Sequence, residues 1–232
     1  MPLKSLVSDK VIGRLSLYRR ILDRMDKAGR ASSNVFSHEL AALTGNTAAL
    51  VRRDFMTLGF TGSPKKGYSV SELVECIGRY LDAPQGQSAV LVGVGNLGRA
   101  LLGHFTFRNP KLPIIAAFDS NPDLANRVIQ GCRVHLIQDM DRVLADQTVR
   151  LGVITVPAGA AQQVADRLVH NGVTGIVNFA PVALRVPQHV YIDNMDLTMS
   201  LEKAAFFARL HALDKEVSPN DRHGDRAHSG EV

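Results

Sequence analysis

Ser88-Ala89-Val90-Leu91-Val92-Gly93-Val94-Gly95-Asn96-Leu97-Gly98 decides the fold of the larger part of this chain. A short apolar run ends in three glycines spaced G-x-G-x-x-G, and a helix-like stretch follows near residues 97–105. Strand, glycine turn and helix in that order form the dinucleotide-binding fingerprint. The first glycine permits the tight turn, the second lets a pyrophosphate approach the backbone, and the third lets the helix pack closely on the strand. The helix start then offers its N–H groups and positive dipole end to the phosphates. Gly93, Val94, Gly95, Asn96, Leu97 and Gly98 are therefore candidate cofactor residues.

Further along, Ile114–Phe118, Leu151–Ile154 and Gly175–Val177 are also short apolar runs. Helix-like stretches near 139–146 and 159–171 separate the later ones. Such alternation, with continuously apolar strands, predicts a parallel sheet covered on both faces. Asp119 ends the second run, 26 residues after Gly93. A carboxylate there accepts the adenine-ribose hydroxyls and repels a 2′-phosphate. Ser120-Asn121 supplies no arginine to receive one, so NAD(H) is expected rather than NADP(H). Thr155-Val156-Pro157 and Asn178-Phe179 follow two of the strands at their carboxyl ends, the edge where open α/β sheets bind ligands.

The N-terminal third has a different character. Residues 1–66 carry 12 Lys/Arg against 5 Asp/Glu, whereas residues 83–232 carry 14 of each. A basic module on a neutral body points to nucleic acid. Val11, Leu15, Tyr18, Leu22 and Met25 form one apolar stripe, predicting a helix over 10–28 that Gly29 ends. Residues 37–43 suggest a short helix with Ser37 as cap and Gly45 beyond its end, and residues 47–57 a third, capped by Asn46 or Thr47. In that third helix Ala49, Val51 and Phe55 suit a core, while Arg52 and Arg53 suit base edges or phosphates. A strand at Tyr68–Val70 and a helix over 71–82 complete the unit. The arrangement resembles a helix-turn-helix, and Lys65 and Lys66 after Gly62 suit a wing on the DNA backbone.

The expected organisation is an α/β chain. It has a winged-helix DNA-binding domain (1–84) and a Rossmann NAD(H)-binding domain with a doubly wound parallel sheet (85–195). A C-terminal dimerisation helix (196–214) and a disordered tail (215–232) follow. The last helix is apolar on nearly every side, from Leu197 to Leu213, and so needs cover from a second subunit. Cys76 and Cys132 are far apart and in no metal-binding pattern, which suggests reduced structural thiols and no metal site. No run approaches the roughly 18 apolar residues of a membrane span. The first residues, with Lys4, Ser5 and Ser8, lack a signal-peptide core. A cytoplasmic location is expected.

Taken together, these motifs resemble the redox-sensing transcriptional repressor Rex family from about residue 10 to residue 213. The similarity rests on Val51–Phe55, Val92–Gly98, Ala116–Asp119, Thr155–Ala158, Gly175–Pro181 and Asp196-Leu197. It implies a homodimer with swapped C-terminal helices that binds an inverted-repeat operator and releases it when NADH rises. It also implies DNA contacts from Thr47, Leu50, Arg52, Arg53, Lys65 and Lys66, and a switch using Arg14, His104 and Asp196. His104 stands where the family carries a tyrosine, Lys65 where a glycine is usual, and Leu50 where a polar residue is frequent. An NAD-dependent oxidoreductase is the competing expectation. It would need a proton donor and a substrate domain, and the sequence offers no Tyr-x-x-x-Lys pair.

Overall fold

The computed structural model describes residues 8–30, 33–63, 65–106 and 111–217. They form two units, Met1–Gly86 and Gln87–Val232. The division falls two residues beyond the expected boundary at residue 84, inside the Pro84–Gln87 stretch.

In the first unit the helix α1 (Asp9–Met25) buries Leu15, Tyr18 and Leu22, with Val11 and Met25 packed at the margin. Gly29 does not end it; the chain continues as a π-helical turn, Asp26–Arg30. A two-residue strand β1 (Asn34–Val35) precedes α2 (Ser37–Thr44). The cap of α2 is Phe36 rather than Ser37. Glu39 reaches back to accept the Phe36 N–H at 2.6 Å, leaving Ser37 buried in the first turn. Gly45 closes α2 in the left-handed conformation, as its position suggests.

Next comes α3 (Ala48–Thr57), capped by Thr47, whose hydroxyl accepts the Leu50 N–H at 3.2 Å. A bridge between Ser63 and Gly67 closes the turn that carries Lys65 and Lys66. Strand β2 (Tyr68–Ser69) pairs antiparallel with β1, and α4 (Val70–Leu81) follows. Val70 thus opens a helix instead of ending a strand. Phe55 anchors this core, meeting Tyr18 and Tyr68 edge to face at 5.6 and 5.0 Å. A helix-turn-helix with a paired strand and a turn behind it is the winged-helix arrangement.

In the second unit the apolar runs become β3 (Ser88–Val92), β4 (Ile114–Asp119), β7 (Val149–Ile154) and β8 (Gly175–Asn178). The sheet also contains β5 (Val128–Ile129), β6 (Cys132–Leu136) and β9 (Tyr191–Asn194). Its order is β5-β6-β4-β3-β7-β8-β9, parallel except for the β5–β6 hairpin. Successive residues of β3 point to opposite faces. Val90 and Val92 join the core beneath α6 (Met140–Leu144) and α7 (Ala158–His170), whereas Ala89 and Leu91 join the one beneath α5 (Asn96–Thr106). The chain winds outward from β3 through β4 to β6 and then returns to β7 on its other side. This places a topological switch point at the carboxyl ends of β3 and β7.

The last helix, α8, runs Leu197–Val217, so residues 215–217 are helical and not part of a tail. The expected tail from Ser218 onward lies outside the described residues. Both cysteines are buried and free. Among the described residues no helix is long and apolar enough to cross a membrane, and no His/Cys/Asp/Glu group is placed to hold a metal.

Candidate functional site

The glycine turn lies at the switch point between β3 and α5. Gly93 has φ +100°, and a Cβ there would sit 2.6 Å from the Thr155 carbonyl oxygen. Only glycine meets both demands. A Cβ at Gly98 would run into the Gly93 carbonyl oxygen, so this glycine lets α5 seat on the turn. At Gly95 nothing lies within 4 Å of the Cβ position, and Gly95, Asn96 and Leu97 are exposed. The open space lies where the first N–H groups of α5 have no intrahelical acceptor. The turn is therefore packed behind Gly93 and Gly98 and open at Gly95, the form a pyrophosphate cradle takes.

Neighbouring side chains brace this turn. The Thr155 hydroxyl donates to the Gly93 carbonyl at 2.7 Å. Asp119 Oδ2 accepts the Val94 N–H at 2.6 Å, and Oδ1 accepts the Asn121 N–H at 2.8 Å. A carboxylate has about four lone-pair sites, so Asp119 retains acceptor capacity for a diol while fixing the turn. Arg99 Nε donates to the Val94 carbonyl at 3.0 Å, gripping the same residue from the helix; the sequence pattern did not single it out.

The β7 and β8 loops border the same sheet edge. Thr155 and Val156 are half-buried, Pro157 is exposed and caps α7, and Phe179 is half-buried. Asn178 differs from the expected ligand contact. Its side chain is fully buried and turned inward, donating to the Ala180 and Val182 carbonyls and to Asn194 Oδ1, and accepting from the Ala180 N–H. It shapes the loop that carries Phe179.

On the first unit, α3 presents Arg52 and Arg53 outward. Arg52 Nη1 also donates to Ser37 Oγ at 3.0 Å. Thr47 is engaged in capping, Leu50 is half-buried, and Lys65 and Lys66 are exposed. Ala49, expected in the core, is exposed, and Ala48 packs inward instead. Asp54, which the sequence reading passed over, is buried. It takes a bidentate pair from Arg14 at 2.6 and 2.7 Å and a 3.1 Å hydrogen bond from the Tyr18 hydroxyl.

The other two candidate switch residues lie in the second unit. His104 is exposed near the end of α5, edge to face with Phe105. Asp196 caps α8, accepting the Met199 N–H at 2.8 Å.

Comparison with known proteins agrees with both units. A family model for a CoA binding domain matches residues 85–182, and one for a putative DNA-binding protein N-terminus matches residues 6–55. Relatives named redox-sensing transcriptional repressor Rex include one from Streptomyces griseus, 40% identical over 215 residues and covering 93% of this chain and 84% of that protein. Another, from Rhodopirellula baltica, is 40% identical over 200 residues, covering 86% of this chain and 84% of that protein. Among solved structures, RSP, a Rex-family repressor, in complex with β-NAD+ and operator DNA aligns with a TM-score of 0.81 at 30% identity. That alignment covers 94% of this chain and 99% of that one. The RSP complex with β-NADH gives 0.80 over 92% of this chain and all of that one. The chain belongs to the redox-sensing transcriptional repressor Rex family.

Proposed function

We propose that the chain is a transcriptional repressor that binds inverted-repeat operator DNA and leaves it when NADH accumulates relative to NAD+. One observation carries the reading. A glycine turn open at Gly95 and an arginine-bearing helix α3 occur together in a chain 40% identical to redox-sensing repressors over 93% of its length. The chain is a regulator rather than an oxidoreductase.

Gly95, Asn96 and Leu97 hold the pyrophosphate of NAD(H), with Gly93, Val94 and Gly98 forming the turn beneath. Asp119 takes the adenine ribose and selects against a 2′-phosphate. The bound cofactor supplies a nicotinamide that is neutral when reduced and cationic when oxidised. Thr155, Val156, Pro157 and Phe179, with Asn178 fixing their loop, make a largely apolar border. It favours the neutral ring, because burying an unpaired charge is costly. On DNA, Arg52 and Arg53 face the major groove and Lys65 and Lys66 the backbone, with Thr47 and Leu50 at the start of the recognition helix.

The protein acts as a homodimer with its C-terminal helices swapped, in the cytoplasm. Arg14, His104 and Asp196 carry the coupling between cofactor and DNA.

The test selects an operator from randomised duplexes with the full-length protein, then titrates the complex separately with NADH and NAD+. NADH is expected to release the DNA at concentrations where NAD+ does not. Equal release by both, or turnover of NADH with a candidate substrate, would overturn the reading.

A further inference from the structure

The arginines and lysines account for the charge of the DNA-facing unit, but not for the apolar groups set among them. Ala49 and Met56 are both exposed on α3, Met56 at 68%. They stand at i−4 and i+3 from Arg53, so the three side chains form one row along the helix. The row borders a depression of about 540 Å³ lined by Ala49, Arg52, Arg53, Met56 and Thr57. Thr57 turns its hydroxyl back to the Arg53 carbonyl at 3.1 Å, which leaves its methyl as a further apolar element there.

Water gives a methyl or a thioether nothing in return for exposure. Arg52 and Arg53 are exposed on the same helix, and Lys65 and Lys66 are exposed on the turn that follows, so a ligand of this basic unit is a polyanion. A polyanion that also offers an apolar group to a helix is double-stranded DNA, whose major groove presents the C5-methyl of thymine.

The spacing agrees. Ala49 lies about 6 Å and Met56 about 4.5 Å along the axis from Arg53, against roughly 3.4 Å per base step. Both side chains therefore fall within about two base pairs of the base that Arg53 meets. We propose, resting on the assignment of α3 as the recognition helix, that Ala49 and Met56 read thymine methyl groups on either side of a guanine taken by Arg53. They are specificity-determining residues, and each half-site carries thymines at those two places.

The experiment uses the full-length protein and the operator it selects from randomised duplexes. Each thymine of a half-site is replaced in turn by deoxyuridine, which deletes the C5-methyl and keeps the base-pairing edge. Wild type is expected to lose about fourfold in affinity for each methyl that is read. Met56→Ala, an exposed change to a good helix former, should bind the thymine operator more weakly and lose its sensitivity at one position only. Ala49→Gly should lose it at a different one. The idea is overturned if no deoxyuridine weakens wild-type binding, or if Met56→Ala keeps the full methyl sensitivity. If no methyl matters yet NADH still releases wild type from its operator, only the methyl readout falls and the repressor reading stands. Failure to enrich any duplex would overturn the repressor reading as well.

Discussion

Asp54 lies between Arg53 and Phe55 in the chain, yet its carboxylate turns inward while the guanidinium before it turns outward. Arg14 and Tyr18 stand four positions apart on α1, about one helical turn, so both reach the same carboxylate. Hydrogen bonding to Asp54 raises the Arg14 guanidinium above its usual range, and burial beside the same charge pushes the Tyr18 hydroxyl up. The pair pins α3 to α1. Asp54→Ala would leave a half-buried guanidinium and a buried phenol without their acceptor, at a cost of about 3 kcal/mol. Tyrosine fluorescence during urea unfolding measures it, because three of the four tyrosines (Tyr18, Tyr68 and Tyr80) lie in the first unit. An unchanged midpoint would show that the pair contributes nothing net. At the glycine turn, Asp119 accepts the Val94 and Asn121 N–H groups, and its remaining lone pairs are the ones the proposed ribose contact would use. Asp119→Ala is expected to lose roughly tenfold or more in NADH affinity and to narrow the preference for NADH over NADPH. Calorimetric titration with each cofactor decides it.

Helix α8 is the element whose own chain fails to explain it. Leu197, Met199, Leu201, Phe206, Phe207 and Leu210 are all exposed. Apolar groups on every side suit a helix clasped by another subunit. Ending the chain after Asn194 should abolish the dimer, while removing residues 218–232 should leave it intact. Sedimentation velocity distinguishes the two outcomes, and a dimer that survives the longer deletion would refute the swap. Strand β6 supports a pH prediction. Burial lowers the pKa of His135, and Arg133 lowers it further, so folding favours the neutral ring. Stability from this source is complete above the ordinary histidine value and is lost as pH falls through the lowered one. The urea midpoint should drop more between pH 7.5 and 5.5 in wild type than in His135→Gln. The central strands β3, β4, β7 and β8 were legible in the sequence because both their faces are buried, which leaves an unbroken apolar run. Strands β5, β6 and β9 were not, because β5 is only two residues long and polar residues, Arg133 and His135 in β6 and Asp193 and Asn194 in β9, break the apolar run. The glycine turn was legible for a similar reason, since its backbone tolerates no Cβ at Gly93. Asn178 and Asp54 were misjudged or missed because a sequence shows that a side chain is polar, not which way it turns.

At the scale of the whole molecule the cofactor and DNA sites are coupled only if each ligand discriminates between the same two states. Linkage then requires reciprocity: the factor by which NADH weakens DNA binding equals the factor by which operator DNA weakens NADH binding. A release of about a hundredfold corresponds to roughly 2.7 kcal/mol of coupling, within the usual span of allosteric proteins. Two independent titrations measure it, DNA affinity at saturating NADH and NADH affinity at saturating operator. The factors should agree. The proposed role of Asp196 is tested by removing its charge. One of its oxygens caps α8 through the Met199 N–H, and Asp196→Asn keeps a capping oxygen there while removing the charge. The variant should remain a dimer, bind operator and bind NADH, yet have both coupling factors collapse together toward one. If the affinity for operator or for NADH falls while the two factors stay at their wild-type value, the variant has damaged one site and not the link. If neither falls, the coupling runs through Arg14 and the nicotinamide border without the charge at residue 196.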